Sequence, residues 1–169
     1  ALSSAASDVY KRQSLNAQNR RKCRPDHCME MRKIMKDGFV KVAAATPKIK
    51  VADTQYNAQA VIDCVKEACD NGAKIVVLPE LCITGYSCGD LFLQDKLLQS
   101  AREQLGVIAD RTADCDALIF VGMPLEKEHK LYNVAAVVQH GQVLAFVPKT
   151  YLPNYAEFYD CLLYTSDAA

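Results

Sequence analysis

The chain has 169 residues, with 20 Lys plus Arg balancing 20 Asp plus Glu. That balance argues against a nucleic-acid or membrane-surface partner, since both select for an excess of positive charge. No apolar run approaches the ~20 residues of a membrane-spanning helix, while a hydrophobic content of 50% is ample for a packed core.

Both termini read as foreign to the fold. The chain opens ALSSAASDVYKRQ and closes CLLYTSDAA, and neither stretch has helical or strand periodicity. Asp8 to Gln13 back-translates as GATGTGTATAAGAGACAG. The reverse complement, CTGTCTCTTATACACATC, read one base in, encodes Cys161 to Thr165. Ends related in this way look like a translated sequencing-library adaptor, so residues 1–13 and 161–169 are set aside as adaptor-derived. The codon of Asp160 would share a base with the adaptor, and the parent could carry Glu there. Residues 14–34 are basic and polar without an apolar face, as expected of upstream DNA translated before a start at Met35. Residues 1–34 thus form a non-native segment. Cys23, His27 and Cys28 lie within it, and one such cluster lacks the paired ligand spacing of a zinc finger.

The working segment is 35–160, a single-domain length. It holds Cys64, Cys69, Cys82, Cys88 and Cys115. An odd, irregularly spaced set without a signal peptide reads as reduced thiols and a cytoplasmic location. Phe39 to Ala45 is expected as a first strand. From about Thr54 the apolar positions Ala58, Val61, Cys64, Val65, Ala68 and Cys69 recur at helical spacing, and Asn71-Gly72 stops the helix. Lys74 to Leu78 (KIVVL) is a short strand expected to be buried on both faces. A second amphipathic helix covers Asp95 to Ala109 through Leu97, Leu98, Ala101, Leu105 and Ile108. Ala117 to Gly122 is a further buried strand. Leu131 to Gln139 and Gln142 to Val147 follow, joined by a hairpin turn at His140-Gly141. The pattern is α/β, with a central sheet and helices outside it.

Two charged residues close strands: Glu80 ends KIVVLPE and Lys149 ends VLAFVPK, each after a proline. Taken singly, each reads as a solvated strand-end charge. Taken together, a carboxylate and an ammonium at equivalent strand ends can meet in one cleft. There the carboxylate could act as a general base.

LPELCITGYSCGDL followed by PKTYLPNYAEFY resembles the nitrilase superfamily of carbon–nitrogen hydrolases. More closely, it is similar to the amino-terminal glutaminase domains of the glutamine-dependent NAD+ synthetase family. GFVKVAAATP, the LQD run at Leu93 to Asp95 and the LYNVAAVV strand fit the same pattern. The long K-T-Y-L-P-N-Y-x-E-F-Y stretch is more specific than the short P-E-x-x-x-x-G-Y stretch. The resemblance implies a partial nitrilase-like α-β-β-α sandwich over 35–160. It also implies a Glu-Lys-Cys triad with Glu80 as base and Lys149 as the group facing the developing oxyanion, and places for Tyr86 and Tyr155 near the glutamine pocket. The family nucleophile lies in a G-x-E-I-C-E-D-like segment that this chain lacks, and Cys82 and Cys88 are expected to be structural thiols. The resemblance further implies glutamine as substrate, a homo-oligomeric parent, and a synthetase domain, absent from this chain, that uses ATP and Mg2+. A stand-alone amidase or carbamoylase and a non-catalytic α/β interaction module are the competing readings.

Overall fold

The computed structural model describes residues 38–151. Readings that concern the two termini, the Cys23–His27–Cys28 cluster, Tyr155 and Asp160 fall outside these residues. The chain divides after Lys41. Residues 38–41, the described part of the first unit, are exposed and carry no helix or strand. Everything below concerns the unit from Val42 onward.

Its elements alternate as the periodicity predicts: β1 (Val42–Ala44), α1 (Thr54–Asp70), β2 (Ile75–Val77), α2 (Asp95–Arg111), β3 (Leu118–Lys127), β4 (Lys130–Gln139) and β5 (Gln142–Pro148). A kinked 3-10 segment, Tyr86–Leu93, precedes α2. The strands form one sheet in the order β1-β2-β3-β4-β5. The first three run parallel, and the last three are joined antiparallel.

Helix α1 starts where Asp53 caps it, its side chain accepting from the Tyr56 amide at 3.1 Å. Its stop is at Asn71, followed by Gly72 at φ 82°. Helix α2 has no side-chain cap, but Asp95 in its first turn and Arg111 in its last complement the helix dipole. Both helices supply one core layer. Val61, Ile62, Val65, Ala101, Leu105 and Ile108 meet Val76, Ile119, Val121, Met123, Val134, Ala136 and Val138 of the sheet. Burial of each large aliphatic side chain is worth roughly 1.5–3 kcal/mol, so this single interface dominates the folding energy.

Three expectations need correction. The first strand spans only Val42–Ala44, not Phe39 to Ala45. The strand Lys74 to Leu78 shortens to Ile75–Val77 and is buried on the helix side only. Val76 is inaccessible, while Val77 is 47% exposed because nothing among the described residues covers that face. Val42 and Val147 are exposed on the same face. One sheet with helices on one side is thus half of an α-β-β-α sandwich. Finally, β3 runs beyond Gly122 to Lys127 and turns back through Glu128-His129, both at positive φ (53° and 61°). That tight hairpin is built without glycine or asparagine and so carries no turn signal in the sequence. The His140-Gly141 hairpin, at φ 47° and 76°, is the one predicted.

Two features position the segment after β2. The side chain of Asn57, fully buried, accepts from the Lys50 amide (2.7 Å) and donates to the carbonyls of Lys50 (2.7 Å) and Ile83 (2.9 Å). It ties the loop before α1 to the loop after β2 and leaves neither end of its amide unpaired in the dry interior. The second feature is Gly122 of β3. A Cβ there would lie 2.3 Å from the Pro79 carbonyl oxygen, 2.6 Å from the Leu81 nitrogen and 2.8 Å from the Glu80 Cα. Only a residue without a side chain lets segment 79–81 lie on the strand.

Cys82, Cys88 and Cys115 are buried in the core, Cys69 packs half-buried against it, and Cys64 is half-buried outside it. Cys82 and Cys88 are buried, with thiols donating to Gly122 O (3.4 Å) and Thr84 O (3.2 Å). Burial pushes the Cys82 thiol up to about 12. Cys69 is likewise pushed to about 12, by burial and then by neighbouring Cys115. Burial also raises Cys64 and Cys88. These thiols therefore stay protonated at neutral pH and are poor nucleophiles.

Gly122→Ala should destabilise the chain by about 1–3 kcal/mol or more, because the groups it meets are backbone and cannot rotate away. A thermal or urea midpoint equal to wild type would refute the close approach. Cys82 also predicts an alkaline instability. Its thiol titrates at 9.0 when unfolded and near 12 when folded, so the unfolded chain loses its proton first. The stabilisation is complete below pH 9.0 and is lost as pH rises from 9.0 toward about 12. Cys82→Ala should flatten that loss when melting is compared at about pH 8 and about pH 10.5; an unchanged slope would mean the thiol ionises freely in the fold.

Candidate active site

Strand β2 ends at Val77, and Leu78-Pro79-Glu80 carries the chain over the carboxyl end of the sheet. Pro79 has no amide hydrogen, which helps end ladder pairing. Immediately after Glu80, Leu81 sits at φ 51°, a left-handed conformation costing about 1–2 kcal/mol for a residue with a side chain. It is held there because the Leu81 side chain is buried with Cys88, Phe92, Leu97, Leu98 and Leu131. The amides of Thr84 and Gly85 then fold back onto the Leu81 carbonyl at 3.1 Å and 2.7 Å. Glu80 is thus fixed from below by Gly122 and from behind by a closed turn.

Strand β5 runs antiparallel to β4, which runs antiparallel to β3. The two reversals restore the direction of β2, so Lys149, after β5, reaches the same end of the sheet as Glu80. Their side chains meet, with Lys149 Nζ 2.7 Å from Glu80 Oε1. The pair stands on the lip of a cleft of about 430 Å3, lined also by Val77, Phe120, Gly122, Asn133 and Val147. The walls are mainly apolar, and the charged groups converge at one edge, as in small-molecule sites generally.

Asn133, at the beginning of β4, completes the group. It is 3% exposed, and its Nδ2 donates to the same Glu80 Oε1. Its carbonyl accepts from the Lys149 amide at 2.8 Å. Nothing local marks it: an asparagine inside LYNVAAVV looks like any polar residue in a strand.

The other sequence candidates are placed differently. Tyr86 opens the 3-10 segment and packs, half-buried, against the Leu81 cluster. It is not among the residues lining the cleft, and neither is Cys82 or Cys88. Tyr155 is outside the described residues. A second lysine–carboxylate pair, Lys74 Nζ to Asp116 Oδ2, has the same 2.7 Å separation but lies at the opposite end of the sheet and does not line the cleft. Ion pairing alone therefore does not mark a site; location at the strand carboxyl ends beside a cavity does. Among the described residues no group of three or more His, Cys, Asp or Glu is gathered to hold a metal, and no helix is long and apolar enough to cross a membrane.

The geometry can be set beside known proteins. A glutamine-dependent NAD(+) synthetase of Mycobacterium tuberculosis is 43% identical over 123 residues, covering 73% of this chain but 18% of its own length. The crystal structure of a glutamine-dependent NAD(+) synthetase from Cytophaga hutchinsonii superposes with a TM-score of 0.70 at 31% identity, over 75% of this chain and 22% of that one. An amidase from Nesterenkonia sp. shares the fold, with a TM-score of 0.64 at 23% identity over 79% of this chain and 50% of the amidase. The chain therefore spans about a fifth of the synthetases it matches, and the match falls on their amino-terminal, nitrilase-like part. The family description "Carbon-nitrogen hydrolase" fits residues 41–157, and the chain belongs to that family.

Proposed function

We propose that this chain carries the general base and the cationic partner of a glutamine-hydrolysing site, within a parent protein that makes NAD+. The observation that carries this reading is the meeting of Glu80 and Lys149 at the lip of an apolar cleft. The relatives at 43% and 31% identity, by name glutamine-dependent NAD+ synthetases, supply the substrate.

The chemistry follows from the groups present. Glu80 as carboxylate takes the proton of a thiol, and the thiolate attacks the amide carbon of glutamine. The carbonyl oxygen becomes an oxyanion, which the positive charge of the Lys149 ammonium stabilises. Glu80 returns the proton to the departing nitrogen, and ammonia leaves. Water, deprotonated by the same carboxylate, then opens the thioester and releases glutamate. The family resemblance assigns Tyr86 and Tyr155 to glutamine binding; Tyr86 packs against the Leu81 cluster and does not line the cleft formed by the described residues.

The thiol itself comes from the remainder of the parent. Cys82 and Cys88 are buried, burial pushes their thiols above the usual range, and no G-x-E-I-C-E-D-like segment occurs in this chain. In the cytoplasmic, homo-oligomeric parent, ammonia passes to a synthetase domain that amidates deamido-NAD+ with ATP and Mg2+. None of the residues described here is assigned to hold those two.

Residues 1–169 alone should hydrolyse no glutamine, because without a covalent thioester the amide barrier stays nearly intact. Ammonia release above the uncatalysed rate would contradict this. In the full-length parent, Glu80→Gln should lower glutamine-driven NAD+ formation on the order of a hundredfold or more. Lys149→Met should cost a similar or larger factor. Both should keep the rate with ammonium chloride, since that chemistry belongs to the other domain. Normal glutamine-driven activity in Glu80→Gln would reduce Glu80 to a strand-end charge and refute the assignment.

A further inference from the structure

We infer that Asn133 is the positioning residue of this site, holding Glu80 and Lys149 in register from a single point on β4. The inference rests on the reading of Glu80 as base and Lys149 as oxyanion partner.

The geometry has three parts. The Asn133 side chain donates through Nδ2 to Glu80 Oε1, and its main-chain oxygen accepts from the Lys149 amide at 2.8 Å. Lys149 Nζ donates to that same Oε1 at 2.7 Å. Two donors therefore converge on one carboxylate oxygen. Among the described residues Oε2 carries no such bond, which makes it the oxygen available to accept a proton.

The two donors differ in burial. The Glu80 and Lys149 side chains are 40% and 27% exposed, and a pair of that kind is loosely held by solvent-screened attraction. Asn133 is 3% exposed and its backbone is paired with Pro124 of β3, so its amide is held by packing as well as by the hydrogen bond. The buried anchor of the carboxylate is thus the neutral amide, and the more exposed contact is with the charged lysine. The amide bond holds the aim of Glu80 while the Lys149 charge faces the developing oxyanion. Aspartate at 133 would offer no donor and would set a second negative charge against Glu80. Leucine would keep the volume and remove the hydrogen bond.

A mere buried strand residue makes a different prediction, and the test separates the two in the full-length parent. Asn133→Leu and Asn133→Asp are compared with wild type and Glu80→Gln, each assayed with glutamine and then with ammonium chloride. Asn133→Leu should lower the glutamine-driven kcat by roughly 10- to 100-fold, the factor expected from losing a hydrogen bond to a charged group. Asn133→Asp should fall further. KM for glutamine should stay within about twofold in both, because the bond acts on the aim of the base and not on substrate capture. The ammonium-driven rate should match wild type. A normal kcat in Asn133→Leu, with Glu80→Gln inactive, would overturn the inference and leave the Glu80 assignment standing. A parallel loss of kcat, substrate affinity and ammonium-driven rate would show a structural role and also overturn it. Full glutamine-driven activity in Glu80→Gln would remove the base itself, and the role of Asn133 with it.

Discussion

The site depends on a close approach between two backbones. Segment Pro79–Leu81 lies against Gly122 of β3 at distances that admit no Cβ. This contact fixes how far the chain travels past the end of β2 before it turns, and so fixes where the Glu80 side chain leaves the sheet. It also brings the Ile83 amide to the Gly122 carbonyl (3.4 Å) and the Cys82 thiol to the same oxygen (3.4 Å). One missing side chain in the sheet is thus converted into the placement of a carboxylate. The left-handed Leu81 is tolerated because its side chain seals a small apolar cluster on the far side of the turn.

The second constraint is directional. In a sheet of parallel strands with helical crossovers, every strand ends on the same side. Strands β1 to β3 follow that rule, and the double hairpin β3-β4-β5 preserves it by reversing twice. Lys149 therefore arrives beside Glu80 although 69 positions separate them. Strand β4, running the other way, contributes its beginning to the same end, which is where Asn133 sits. A single hairpin would have sent the lysine to the opposite end, beside the Lys74–Asp116 pair.

The two sheet faces differ as a result of what covers them. Helices α1 and α2 close one face with aliphatic side chains. On the other, Val42, Val77 and Val147 remain exposed, and the cleft opens where Val77, Phe120 and Val147 meet the charged edge. KIVVL has the chemistry of a strand buried on both faces. Its side chains are apolar in both directions, but only the helix-facing set finds a partner among the described residues.

The sequence by itself determined the α/β alternation, both amphipathic helices, the His140-Gly141 hairpin and the two charged strand ends, because each is a local pattern of period, turn chemistry or punctuation. Its motifs also carried the family resemblance that the comparisons support. It did not mark the Glu128-His129 turn, whose positive-φ residues are imposed by the pairing of β3 with β4 rather than by glycine. Nor did it single out Asn133 or Gly122. An asparagine in a strand and a glycine at a strand's expected end have ordinary local meanings. Only the tertiary structure decides that the amide faces a carboxylate 53 positions away and that the glycine faces its backbone. Those relations are distances between segments far apart in the chain, and no local periodicity encodes them.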